Sequence, residues 1–180
     1  METDLEEIAK RILMKIGVTQ GKKILDFGSG IGTYTIPAAK LAGSRGIVYA
    51  LDKDTKNLDE LMGKIGLGDL RNIKRVDTSG ETKIPLEEES IDIVLLYDVF
   101  HDYYFPTPED RRRLLDDIYR ILKPDGLLSV WPKHFESEAK VEIENAHFYL
   151  ASKHEENLIH NDLDVEKGEI LNFRKRKKEN

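Results

Sequence analysis

Residues 23–32, KILDFGSGIG, decide the fold. Lys23 to Phe27 is an apolar run of strand length, and Gly28, Gly30 and Gly32 follow at alternate positions. A helical pattern then resumes from Tyr34 to Leu41 and stops at Gly43. Strand, glycine turn and helix in that order open a parallel β-α-β unit. Glycines in such a turn let the backbone bend tightly and let a ligand lie against the main chain.

Downstream the alternation continues. Ile47 to Leu51 is a second strand, ending in Asp52-Lys53-Asp54, and a helix follows from Thr55 to about Ile65. Ile73 to Val76 ends in Asp77, and Ile91 to Tyr97 is nearly continuous in Ile, Val and Leu, the composition of a strand covered on both faces. Thr107, Pro108 and Asp110 supply a hydroxyl cap, a first-turn proline and a carboxylate for a helix running to Leu122, which Lys123-Pro-Asp-Gly126 stops. Leu127 to Trp131 is a fifth strand and Glu136 to Ala146 a helix. Phe148 to His160 and Glu169 to Phe173 pair as a hairpin across residues 162–168. Upstream, Leu5, Ile8, Ala9, Ile12, Leu13 and Ile16 give an amphipathic helix over residues 3–16. The spacing predicts one α/β domain over residues 1–180, a mostly parallel sheet closed by an antiparallel strand.

The acidic residues discriminate among ligands. Asp26 precedes the first glycine by two positions, where it repels the pyrophosphate of a dinucleotide and suits an amino group. Thr33 stands where a dinucleotide fingerprint has its third glycine. Asp52, some twenty residues beyond Gly32, ends the second strand and can accept both hydroxyls of a ribose, with Lys53 beside it. Asp77 and Thr78 end the third strand, where the carboxylate can accept an adenine amino group. A nucleoside carrying an amine fits better than a nicotinamide dinucleotide.

Composition removes other chemistries. The 180 residues include no cysteine, so thiol nucleophiles, thiolate zinc sites and cysteine-held iron-sulfur clusters are excluded. No apolar run reaches the length of a membrane span and METDLEEIAK starts acidic, from which a cytoplasmic location is expected. With 34 acidic against 28 basic side chains the net charge is -6, and residues 174–180 form a basic tail with five cations against one carboxylate. The acidic body argues against a broad nucleic-acid face, leaving the tail alone for such contacts.

In their order, ILDFGSGIG, YALDKD, RVDTSG, IDIVLLYDVFHDY and ILKPDGLLSVWPKH resemble the class I S-adenosylmethionine-dependent methyltransferases, over roughly residues 20 to 173. The resemblance implies a doubly wound, Rossmann-like three-layer sandwich with strand order 3-2-1-4-5-7-6, the seventh strand antiparallel, and S-adenosyl-L-methionine as cofactor. It places Asp26 in the first motif, Gly28, Ser29, Gly30 and Gly32 along the methionine moiety, Asp52 at the ribose and Asp77 at the adenine. Tyr97 and Asp98 fall where family members place cofactor and substrate contacts. The Asp/Asn-Pro-Pro-Tyr/Phe sequence of amine-methylating nucleic-acid enzymes is replaced by Tyr97-Asp-Val-Phe-His101, which favours a small-molecule acceptor. A protein or nucleic-acid methyltransferase and a non-catalytic cofactor-binding module are the alternatives.

Methyl transfer from a sulfonium needs alignment and, for some acceptors, a base. His101 and His134 follow the fourth and fifth strands, at the carboxyl rim where parallel sheets bind ligands, and are the candidate catalytic residues. Asp98, Asp102, Tyr103 and Tyr104 join them as substrate handles, in a ring-rich loop suited to a planar or apolar acceptor. Asp98, Asp102 and His134 are at most a weak magnesium set, because their separations fix no geometry. The sequence leaves the oligomeric state open.

Overall fold

The computed structural model describes residues 2–66 and 70–177. Along the chain it forms α1 (Glu2–Lys15), β1 (Lys23–Phe27), α2 (Thr35–Ala42), β2 (Ile47–Asp52), α3 (Thr55–Gly66) and β3 (Ile73–Asp77). There follow β4 (Ile91–Tyr97), α4 (Pro108–Ile121), β5 (Leu122–Trp131), α5 (Glu136–Asn145), β6 (Phe148–His160) and β7 (Asp164–Lys175). The sheet has seven strands in the order β3-β2-β1-β4-β5-β7-β6. The ladders β1–β2, β2–β3 and β4–β5 are parallel and β7 runs antiparallel to β5. The alternating pattern predicts the mostly parallel sheet, and the strand order is the one the resemblance implies.

The chain divides into two compact units. The first runs to Gly80 and takes in Glu156–Lys167; the second comprises Glu81–Glu155 and the chain from Gly168.

In the first unit, β1 is buried along four of its five residues, so neither face is left to water. Its helices cover β1, β2 and β3, with Ile24, Leu25, Ala38, Ala39, Val48, Leu58 and Leu61 wholly buried. The parallel register brings Phe27 beside Leu51 and Asp52 beside Asp77, so the carboxyl ends of these strands lie together.

In the second unit, Thr107 caps α4 in both directions: Asp110 N donates to Thr107 Oγ1 at 3.1 Å, and that hydroxyl donates to Asp110 Oδ2 at 2.7 Å. The face of α4 carrying Leu114, Leu115 and Ile118 is wholly buried. β5 begins at Leu122 rather than Leu127, because Leu122 already pairs with Ile91. The Lys123–Gly126 segment is an irregularity in the ladder before Leu127 pairs with Ile93.

Two further boundaries differ from expectation. The β6–β7 connection is residues 161–163 rather than 162–168: Asn161 and Asp162 take positive φ angles of 47° and 62°, and Leu163 N closes the turn on His160 O at 3.1 Å. The basic tail is also partly sheet. Arg174 and Lys175 end β7, donating to Asp125 O and Leu122 O, and Arg176 Nε donates to Phe148 O. Lys178, Glu179 and Asn180 lie outside the described residues.

Candidate functional site

The glycine loop is hung from the end of β2. Gly28 N and Ser29 N both donate to Leu51 O, at 2.8 and 3.0 Å, and Gly32 N turns back on Ser29 O at 3.0 Å. Gly30 and Gly32 have φ values of 53° and 98°, in the left-handed region where a side chain is penalised. At Gly32 a Cβ would also run into Leu61.

Asp52 completes the loop. Its Oδ2 accepts Gly30 N and its Oδ1 accepts Asp54 N, both at 2.8 Å. One acceptor site is thereby used on each oxygen, and a carboxylate has about four, so capacity for a pair of hydroxyls remains. Lys53 is exposed beside it.

Asp26 lies beneath the loop, 4% exposed, with Thr35 Oγ1 donating to its Oδ2 at 2.6 Å. Burial pushes its carboxyl up to about 7; the Thr35 hydrogen bond opposes the shift, and the negative charges of Asp52 and Asp162 add to it. Asp162 is a residue that the sequence reading missed. It reaches the loop from the β6–β7 turn, where Thr33 Oγ1 donates to its Oδ1. The signal for it was Asn161-Asp162, a pair suited to a left-handed turn, set between Ile159 and Leu163.

Asp77 is held by Arg75, whose guanidinium reaches both carboxylate oxygens at 2.7 to 3.0 Å and also pairs with Asp59. This hydrogen bonding draws the Asp77 carboxyl below its ordinary value. Asp77 is therefore a fixed acceptor at the end of β3. Thr78 Oγ1 accepts Gly80 N at 3.2 Å, shaping the turn that follows.

The residues expected on the acceptor side belong to the second unit. Tyr97 is buried, its hydroxyl 2.9 Å from Ser129 Oγ. Asp98 has a positive φ of 54°, and its N–H is taken by Trp131 O. His101 Nδ1 accepts Tyr103 N at 3.2 Å, and Nε2 stands 3.9 Å from Asp98 Oδ1. In that arrangement a neutral imidazole carries its proton on Nε2 and has no lone pair to spare. His101 is thus arranged as a donor rather than a base. The Tyr104 ring lies 4.9 Å from it and packs edge-on to Tyr103 at 5.0 Å, with Tyr103 79% exposed. His134 is exposed, with φ of 63°, in the turn that Phe135 N closes on Pro132 O. Asp102 is exposed, and among the described residues no group of three or more candidate side chains is arranged to hold a metal.

The glycine-loop residues fit the cofactor that the resemblance implies. Both fixed charges acting on buried Asp26 are negative, a setting suited to a ligand bearing an ammonium and a sulfonium. Within the loop, Ser29 Oγ is buried and has no hydrogen-bond partner, an acceptor and donor left for a bound group.

The fold and this loop define a Rossmann-like α/β domain of the methyltransferase type. The family of methyltransferase domains matches residues 25–130, more than half of the chain, and the chain belongs to that family. It is 31% identical over 121 residues to the demethylmenaquinone methyltransferase of Lactobacillus johnsonii, an alignment covering 67% of this chain and 48% of that protein. To the ubiquinone/menaquinone biosynthesis C-methyltransferase UbiE of Blochmanniella floridana it is 29% identical over 132 residues, 72% of this chain and 50% of the other. The chain spans about half the length of the curated relatives it matches. Among solved structures, a SAM-dependent methyltransferase from Aquifex aeolicus superposes with a TM-score of 0.76 at 20% identity, covering 97% and 98% of the two chains. That similarity shows the shared fold.

Proposed function

We propose that this chain is an S-adenosylmethionine-dependent methyltransferase that transfers a methyl group to a small-molecule acceptor by in-line displacement. The observation that carries the reading is the loop itself: three glycines, the Gly28 and Ser29 amides on Leu51 O, and the Gly30 amide on the Asp52 carboxylate. The cofactor supplies a methyl group already activated on a sulfonium, so the acceptor's electron pair forms the new bond as the carbon–sulfur bond breaks and sulfur keeps its electrons. The chain's residues bind and align. Asp52 accepts the ribose hydroxyls, Asp77 the adenine amine, and buried Asp26 answers the positive charge of the amino-acid end.

On the acceptor side the His101, Tyr103 and Tyr104 rings suit a planar molecule, and His101 presents a proton to it. Relatives are named for demethylmenaquinone and for ubiquinone/menaquinone biosynthesis, and we extend a quinone-like acceptor to this chain. A nucleic-acid acceptor is disfavoured by the acidic balance of the chain, 34 carboxylates against 28 cations, because phosphate binding needs clustered positive potential. No helix among the described residues is long and apolar enough to cross a membrane, and we place the enzyme in the cytoplasm.

Calorimetric titration with S-adenosylmethionine, S-adenosylhomocysteine and NAD in separate runs tests the cofactor. Binding of both adenosyl ligands and not NAD is expected, followed by mass gain of one methyl group on a quinone-type acceptor. Binding of NAD alone overturns the reading.

A further inference from the structure

We infer that Asp162, at the tip of the β6–β7 hairpin, is a cofactor-binding residue that accepts a hydrogen bond from the ammonium of the methionine moiety. The inference rests on the cofactor reading above and adds to it a residue outside the glycine motif.

The distal part of the hairpin, Glu156–Lys167, belongs to the same unit as the glycine loop. Glu156, with a side chain 9% exposed, pairs with Lys15 Nζ at 2.5 Å and with Arg11 at 3.9 Å. Ile159 N donates to the hydroxyl of buried Tyr34 at 2.9 Å, only two residues past Gly32. Thr33 Oγ1 then donates to Asp162 Oδ1. Three successive ties along seven residues hold the tip in place, so the carboxylate is positioned before any ligand arrives.

Its position is against the loop main chain. Asp162 Oδ2 lies 3.2 Å, and Oδ1 3.5 Å, from where a Cβ would stand on Gly30. Oδ2 accepts no hydrogen bond from the described residues, so half of the carboxylate is uncommitted. Gly30 is the middle glycine of the segment assigned to the methionine moiety. Of that moiety's two positive centres, only the ammonium has N–H donors, and a carboxylate binds such donors strongly. Ser29 Oγ, 5% exposed in that loop and without a partner, is a second polar group left open beside Gly30.

The turn geometry points the same way. Asn161 and Asp162 both have positive φ in a turn closed by Leu163 N on His160 O, a pattern in which glycine is the usual second residue. An aspartate held there bears backbone strain that a glycine would not, and in exchange places a carboxylate on the loop.

The test compares three ligands on the intact protein and on Asp162→Asn, which keeps size and the Thr33 hydrogen bond. S-adenosylmethionine and S-adenosylhomocysteine both carry the ammonium; methylthioadenosine carries the adenosine and sulfur without it. Expected is a loss of about tenfold in affinity for the first two, with methylthioadenosine changed less than about twofold. Thr33→Val, which frees Asp162 from its hydroxyl, is expected to show the same selectivity with a smaller loss. Equal weakening of all three ligands marks a purely structural anchor and overturns the inference, as does unchanged or tighter binding of the ammonium ligands. If the intact protein binds none of the three, the cofactor reading itself falls.

Discussion

Asp52 Oδ2 accepts the main-chain N–H of Gly30 at 2.8 Å, so the carboxylate at the end of β2 and the middle glycine of the loop after β1 are one hydrogen-bonded piece. The proposed binding of a ribose by Asp52 and the proposed approach of the amino-acid end to Gly30 therefore depend on the same side chain. Asp52→Ala removes the acceptor for Gly30 and Asp54 amides together with that for the ribose. Cofactor affinity should fall by about 1–3 kcal/mol, and the unliganded protein should lose about 1 kcal/mol as well. Titration calorimetry and thermal unfolding measure the two separately; equal affinities for variant and wild type refute the ribose assignment.

A pH dependence follows from Asp26. Its carboxyl rises from an ordinary 3.8 to about 7, so between those values the folded protein binds a proton that the unfolded chain has released. Stability of the unliganded protein should therefore decline as pH rises from about 4 to about 7 and level off above. The groups acting on Asp26 are the Thr35 hydroxyl, which favours its anion, and Asp52 and Asp162, which oppose it; the Tyr34 phenol in turn feels Asp26. Asp26→Asn should remove this component of the slope. Denaturant midpoints measured from pH 4.5 to 8 give the answer, and identical slopes in variant and wild type contradict it. Cofactor binding should release protons in the same window, because an ammonium beside Asp26 favours the anion.

Much of this arrangement is legible in the chain, and the exceptions have physical causes. β1 and β4 are read correctly because strands buried on both faces leave nearly continuous apolar runs, interrupted within by Asp26 and Asp92 alone. Thr107-Pro108-Glu-Asp110 announces α4 because each residue fills a specific need of a helix start. The start of β7 is misread because Asp164 to Gly168 looks like loop composition. Cross-strand pairing in a hairpin overrides that local preference. The same error hides Asp162, whose contact with Thr33 spans most of the chain. That His101 receives the Tyr103 amide is likewise invisible in sequence, since it depends on how one loop turns back on itself.

One ion pair ties down the far end of the Phe100–Thr107 loop. Arg111, 5% exposed, donates through Nε and Nη2 to both oxygens of Glu142 at 2.7 and 2.8 Å and through Nη1 to Phe105 O at 2.6 Å. Its guanidinium also lies 4.8 Å from the Phe135 ring. Glu142→Ala leaves a buried cation without its carboxylate. The expected cost is about 2–3 kcal/mol, less than for a fully buried pair because Glu142 keeps a side-chain exposure of 24%. Chemical denaturation measures it. A cost below about 0.5 kcal/mol would show that solvent already screens the pair.

His101 separates two mechanisms. With Nδ1 occupied by the Tyr103 amide, the role proposed for the imidazole is to offer the acceptor a proton at Nε2 and to withdraw none. A glutamine retains an N–H donor, so His101→Gln should keep the transfer rate within about threefold while His101→Ala loses about tenfold. Cofactor affinity should stay unchanged in both. A general base behaves differently: both replacements would then cost about a hundredfold or more, and the pH profile of the rate would lose its acidic limb in each. Rates for the three proteins, measured with the acceptor that gains mass, decide between them. Similar large losses in the glutamine and alanine variants would assign His101 to proton removal and require the Tyr103 amide to release Nδ1 when the acceptor binds.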